Sequence, residues 1–250
     1  MSHAQPDGET GRADALGFVG TPWPLVQAVA DADPARRAAA LEQLCRIYWE
    51  PLYAYIRRRG HEMHDAQDLT QSFFEFLLEK HVIEAADPER GRFRCYLLTC
   101  LKKFLAGERA MANAEKRGGG KIIVPLDAEM AEQHYRQDSS ENLTAVEHFD
   151  RRWALTLLDR AFARLSGEAL AAGKAELFEA LKSFLSVQSG EANYAKVSER
   201  LKKTPAAVRQ EVHHFRRRLR KLLRAEIAHT VRDPAEIEDE LRYLIKLLSQ

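Results

Sequence analysis

The sequence predicts an all-α protein built as two small helical domains joined by a flexible linker. Apolar residues recur at three- and four-residue spacing along most of the chain, and helix start and stop signals punctuate those runs. Charge is also segregated: residues 193–232 carry 12 Lys/Arg against 3 Asp/Glu, whereas residues 127–150 carry 7 Asp/Glu against a single Arg. A chain of 250 residues, 45% hydrophobic and 30% charged, is long enough for one modest core or two small ones.

Residues 1–20 are rich in Gly, Ala and polar groups without periodicity and are expected to be a disordered tail, with order beginning near Trp23. Asp33 and Pro34 form an N-cap followed by proline at the first helical position, after which Leu41, Leu44, Tyr48 and Leu52 recur at helical spacing. Pro51 is expected to kink or divide this helix, and Arg57 to Gly60 supplies cations and then glycine at its end. A third helix is expected over Asp65–Lys80, with Leu69, Phe73, Phe76 and Leu77 inward. A fourth is expected over Arg92–Asn113, with Phe93, Leu97, Leu101, Phe104 and Leu105 inward.

These helices make a bundle domain over 21–115. The glycine run at 118–120 ends helical pattern, and the acidic segment 116–150 is read as a flexible linker, with Lys121–Leu126 the sole strand candidate. Periodicity resumes at Arg151 with Trp153, Leu157 and Leu158, and again from Lys174 through Leu185. Two segments, Tyr194–Leu201 and Pro205–Ile227, are separated by Lys202, Lys203 and Thr204, with Thr204 placed to cap the second. Residues 151–232 thus form a helix–turn–helix domain. A capped C-terminal helical extension covers 233–250, with Ile237, Leu241, Leu244 and Leu248 on its apolar face.

Three cysteines, Cys45, Cys95 and Cys100, in apolar surroundings suggest buried free thiols in a reducing compartment. No apolar run is long enough to cross a bilayer, and Asp7, Glu9 and Asp14 stand where a signal peptide is apolar, so a cytoplasmic protein is expected. Gly118 to Lys121 lacks the glycine spacing and the following Ser/Thr of a phosphate loop. Neither the pair His61 and His64 nor the pair Cys95 and Cys100 has a second pair at zinc-site spacing. Asp65 and Asp68 lie one helical turn apart with no nucleophile indicated. A non-enzymatic protein without metal or cofactor is expected.

The strongest local signal is a short helix, a turn and a longer basic helix between Tyr194 and Arg224, an arrangement that lets the second helix enter a DNA major groove. Val208, Val212, Phe215, Leu219 and Leu222 form its core stripe, leaving Arg209, His213, Arg216, Arg217 and Arg220 on outward faces. Cations neutralise phosphates, while Ala206, Ala207, Arg209, Gln210 and His213, near the helix start, are placed to meet base edges. The competing reading is a merely solvated basic face. An acidic helix with Asp65, Asp68, Leu69, Gln71, Ser72 and Glu75 precedes a basic one with Arg92, Arg94, Tyr96, Lys102, Lys103 and Arg109. The first suits docking on a cationic protein surface and the second suits following a nucleic-acid strand. A solvent-facing amphipathic bundle explains both equally well.

Asp65 to Gln71 resembles the second-region helix of extracytoplasmic-function sigma factors that binds the polymerase clamp, and Gly91 to Leu105 resembles their promoter-melting helix. Tyr194–Leu201 with Pro205–Arg220 resembles their C-terminal helix–turn–helix. Lys116–Gly120, Phe149–Leu155, Gly173–Phe178 and Asp233–Leu241 are similar to a divergent branch of planctomycete type. The resemblance implies a transcription initiation factor whose first domain meets the clamp and the minus-ten element, through Arg92, Arg94, Tyr96, Lys102, Lys103 and Arg109. Its second domain would meet the flap and the minus-thirty-five element, through Ala206, Ala207, Arg209, Gln210, His213, Arg216, Arg217 and Arg220. Core RNA polymerase and promoter DNA are the implied partners, with an anti-sigma factor or regulatory kinase as a further one. Lys202 departs from the glycine usual at the turn, and Lys203 from an apolar residue.

Overall fold

The computed structural model describes residues 23–112, 128–137, 142–186, 191–228, 230–231 and 233–249, all of them helix or connecting turn. The expected tail 1–20, the glycine run and the strand candidate 121–126 lie outside the described residues.

A short helix α1 (Trp23–Gln27) leads into α2 (Pro34–Arg58), whose start is set by Asp33: its side chain accepts from the Ala35 N–H at 2.9 Å, with Pro34 at the first position. Of the two outcomes expected at Pro51, division does not occur: α2 runs unbroken through it. Proline deletes one backbone hydrogen bond, but Ile47, Tyr48, Leu52, Tyr53, Tyr55 and Ile56 around it are all buried, and their packing keeps the helix continuous. Helices α3 (Met63–Glu79) and α4 (Phe93–Ala112) complete the first bundle, with rings of Phe73, Phe76 and Phe104 in mutual contact at 5.5–6.2 Å.

The acidic stretch read as a linker holds structure. Helix α5 (Ala128–Gln137) docks on α2 through Glu132, whose carboxylate accepts from the buried Tyr53 hydroxyl, from Arg57 twice at 3.0 Å and from Arg136 at 2.8 Å. Burial pushes that carboxyl's pKa up, but the three donors outweigh burial and hold it below its usual value. An acidic composition here marks a paired, buried carboxylate as well as solvated ones.

The long helix α6 (Ala145–Ala171) starts earlier than periodicity indicated, at a capping box: Thr144 accepts from the Glu147 N–H and the Glu147 carboxylate accepts from the Thr144 N–H. Its 27 residues run about 40 Å at 1.5 Å per residue and serve two cores. Phe149, Trp153, Ala154 and Leu157 pack into the first with α2 and α4, whereas Ala161, Leu165 and Ala169 pack into a second. The second core is completed by α7 (Ala175–Leu181), α8 (Ser183–Ser186), α9 (Glu191–Leu201) and α10 (Pro205–Ala228). A boundary at 150/151 therefore does not separate the two cores, because one helix crosses between them.

After a 3-10 turn at Pro234–Glu236, capped by Asp233, α11 (Ile237–Leu248) returns to the first core and buries Leu241 and Leu244 there. Arg151 on α6 donates to the Leu247 carbonyl at 2.6 Å, satisfying one of the last carbonyls of α11. The extension is thus an integral part of the first bundle.

Near the end of α10, Glu226 is 1% exposed, and its Oε2 has no hydrogen-bond partner. Burial pushes its pKa up from 4.5 to about 7, against the weaker opposing pull of Arg160 and Arg164. The folded protein then holds this proton more tightly than the unfolded chain. The associated stability is complete below about pH 4.5 and is lost as pH rises through 7. Glu226→Gln should remove that loss: between pH 5 and 8 wild type should fall behind the variant by on the order of 1–3 kcal/mol in urea melts. Parallel stability curves for the two proteins would show that Glu226 carries no such proton.

Candidate nucleic-acid interface

Helices α9 and α10 are joined by a turn that local backbone chemistry defines closely. Lys202 adopts a left-handed conformation (φ 51°), its N–H donates to the Glu199 carbonyl at 3.2 Å, and the Lys203 N–H donates to the Ser198 carbonyl at 3.1 Å. These are the two bonds of a Schellman C-cap with lysine where glycine is easiest. Thr204 Oγ1 then accepts from the Ala207 N–H at 3.2 Å, and Pro205 opens α10. Val208, Val212, Phe215, Leu219 and Leu222 are all buried, Phe215 meeting Phe178 edge-on at 5.7 Å. At about 100° per residue, Ala206, Gln210, His213 and Arg217 fall on the side opposite that stripe, and all four are exposed.

The other residues expected to meet DNA stand at the margins of this strip. Ala207 is half-buried against the turn. Arg209 is exposed and lies 5.5 Å over the Tyr194 ring. Arg216 donates twice to the Phe184 carbonyl, at 3.0 and 2.6 Å, so it braces α8 as well as facing solvent. Arg220 is exposed, with Glu238 of α11 at 3.7 Å.

Two cations outside the predicted set are engaged structurally. Arg218 makes a two-pronged contact with Glu168 of α6 at 2.6 Å for each prong, and these bonds hold the Glu168 carboxyl below its usual pKa. Arg224 lies 2.6 Å from Glu238. Charge counting gave no sign of this division; only the angular position on α10 relative to α6 and α11 separates a brace from a free cation.

On α4 the structure corrects the expectation more sharply. Arg94 is 3% exposed and cannot reach a nucleic acid. Its Nε donates to Asp150 at 3.0 Å, its Nη1 lies 2.6 Å from Glu240 in an ion-pair contact off the N–H axis, and its guanidinium stacks 4.6 Å from the Trp153 ring centre. Burial alone would lower its pKa, but Glu240 and Asp150 reverse that and raise it, so the charge persists.

Arg92 is partly covered, 2.7 Å from Glu240 and 3.4 Å from Glu236. Tyr96 is anchored by its hydroxyl, which donates to the Val82 carbonyl at 2.7 Å. Lys102 and Lys103 are exposed, while the side chain of Arg109 lies outside the described residues. The sequence did signal the burial of Arg94, since positions 94, 98, 101 and 105 form one helical stripe with Leu98, Leu101 and Leu105.

The acidic face of α3 is open at its start. Asp65 and Asp68 are exposed, and Leu69, Gln71, Ser72 and Glu75 are half-buried, with Gln71 donating to Glu75 at 3.2 Å. Among the thiols, Cys45 is buried and burial pushes its pKa up to about 12, but Cys95 is exposed and Cys100 intermediate. Cys95 lies on the solvent side of α4, one residue past the buried Arg94, so the expectation of three buried thiols holds for Cys45 alone. No described helix is long and apolar enough to cross a membrane.

Comparison with family models, with curated proteins and with solved structures gives no match to this chain, so a role for it must be argued from its residues.

Two substitutions check this geometry. Arg94→Met strands the buried carboxylates and should cost about 3–5 kcal/mol in chemical melts, whereas an arginine serving only DNA would be replaceable at unchanged stability. Lys202→Gly removes left-handed strain of about 1 kcal/mol and should raise Tm by roughly 2–4 °C. An unchanged or lower Tm would mean that Lys202 carries no such strain.

Proposed function

We propose that this protein is a cytoplasmic, non-enzymatic RNA polymerase sigma factor of the extracytoplasmic-function type, which binds core polymerase and directs promoter recognition and opening. The observation that carries the reading is the exposed strip Ala206, Gln210, His213 and Arg217 on α10, set opposite a fully buried stripe and flanked by further cations. Such a helix presents small and hydrogen-bonding side chains at its start for base edges and cations further along for phosphates. Because Arg216 and Arg218 tie the helix to its own domain, α10 is presented rigidly, which limits the entropy lost on docking.

Support for polymerase binding comes from the acidic face of α3 and from the resemblance of Asp65 to Gln71 to a clamp-binding helix. Exposed Asp65 and Asp68 provide a negative patch that a cationic protein surface complements. Opening of the duplex would use Lys102 and Lys103 on the open side of α4, next to Cys95 and Thr99. No cofactor is needed, since capture of unpaired strand by stacking and charge involves no covalent step.

A second reading is a sigma-like DNA-binding regulator that does not engage polymerase. The burial of Arg94 and the anchoring of Tyr96 favour it, because they remove two side chains from the strand-opening set.

Reconstitution with the cognate core enzyme separates the two. The sigma reading expects co-elution with core and run-off transcription from genomic fragments; DNA binding without either outcome leaves the regulator. Asp65→Lys with Asp68→Lys should weaken core binding on the order of tenfold. Arg209→Ala with Gln210→Ala should change promoter choice by about 1–3 kcal/mol of discrimination while leaving core binding intact.

A further inference from the structure

The acidic start of α11 faces cations from both halves of the molecule. Glu236 and Glu240 pair with Arg92 of α4, and Glu238 sits between Arg220 at 3.7 Å and Arg224 at 2.6 Å on α10. These pairs are not alike. Glu240 is 1% exposed and neutralises the buried Arg94, so it belongs to the core. Glu238 is 40% exposed, and its partners Arg220 and Arg224 are 64% and 49% exposed. Exposed pairs of this kind contribute little to stability and exchange readily with other ions.

Arg220 and Arg224 also lie on the outward side of α10, about one and two turns beyond the open residue Arg217 and continuous with it. A carboxylate flanked by two guanidinium groups offers them the same charge and oxygen acceptors that a phosphate would.

We infer that Glu238 is an internal stand-in for nucleic-acid phosphate, holding Arg220 and Arg224 until duplex DNA displaces it, so that α11 lowers the affinity of α10 for DNA. The inference rests on the reading of α10 as a DNA-facing helix. Displacement needs no unfolding. Leu241 and Leu244 keep α11 in the first core, and only the partly exposed Glu238 side chain in its first turn has to change partners. The brake therefore acts on charge and is graded by salt, since both the internal pair and the phosphate contact weaken as ions screen them.

The test uses the full chain and a short mixed-sequence DNA duplex, with binding followed by fluorescence anisotropy over a series of salt concentrations. Glu238→Gln, at unchanged Tm, should bind on the order of three- to tenfold tighter at low salt, with the log–log salt slope steeper by about one. Arg220→Gln with Arg224→Gln should weaken binding, and should do so more in the Glu238→Gln background than in wild type, because in wild type the carboxylate already holds those cations.

Equal affinity and slope for Glu238→Gln and wild type, with the arginine variant still weakened, would overturn the stand-in role and leave the DNA reading intact. Insensitivity of binding to Arg217→Gln as well as to the arginine pair would overturn the DNA reading itself and the inference with it. If Glu238→Gln loses stability, Glu238→Ser in place of it must reproduce the gain in affinity; failure to do so counts against the proposal.

Discussion

The architecture depends on one buried charge. Arg94 is taken from water in the middle of the first core, and an isolated guanidinium there would cost several kcal/mol. It is tolerated because Asp150 of α6, Glu240 of α11 and the face of Trp153 converge on it from separate parts of the chain. Tyr243 then satisfies the other oxygen of Asp150 at 2.7 Å. None of these partners is local in sequence, so the charge is compensated only when α4, α6 and α11 are all in place. An arrangement that shifted α11 by one turn would bury Leu residues just as well but would leave Arg94 and Asp150 without Glu240. Because all of its partners come from distant elements, the cluster ties the register of α11 to that of α4 and α6.

Once α6 is fixed against Arg94, the rest follows along that helix. Trp153 and Leu157 belong to the first core, and Ala161, Leu165 and Ala169 belong to the second without a break in the backbone. Glu168, near its far end, holds Arg218 of α10 by two short bonds. The position of α10 relative to the first bundle is set by this rod about 40 Å long, by Ile227 near the end of α10, which is buried in the first core, and by α11, which pairs with Arg92 and with Arg224. Two domains on a slack tether would sample many separations; a shared helix removes most of that freedom.

Helical class, the order of elements and the buried stripe of α10 were legible in the sequence because they rest on local rules: apolar periodicity, caps at Asp33, Thr204 and Asp233, and proline at first positions. The departure at Lys202 was legible only through the resemblance, which puts glycine at the turn, and the residue does adopt the left-handed conformation. What escaped was long-range. Arg94, Asp150 and Glu240 each sit at a core position of an otherwise apolar stripe, so burial could be inferred from spacing, but the partner of each lies on another element. Composition misled at 127–150, where acidic residues suggested solvation while Glu132 is buried under Tyr53 and Arg57, and where the Thr144–Glu147 capping box marked a helix start inside the supposed linker.

The arginines of this chain divide by the cost of desolvating them, and that cost explains why a basic segment is a poor guide to a binding surface. A fully buried guanidinium such as Arg94 must keep its carboxylates at all times and is closed to any ligand. A half-exposed one such as Arg224 gains little from its carboxylate, because water and ions compete for both partners. An exposed one such as Arg217 has no carboxylate partner among the described residues to give up. Along α10 open and tethered cations alternate, Arg217 standing between Arg216 on the Phe184 carbonyl and Arg218 on Glu168, while on α4 the buried Arg94 is followed by the exposed Lys102 and Lys103. Where an anion binds is then decided less by the number of cations in a segment than by which of them can release their present partner at small cost, and that depends on α6 and α11 as much as on α10 itself.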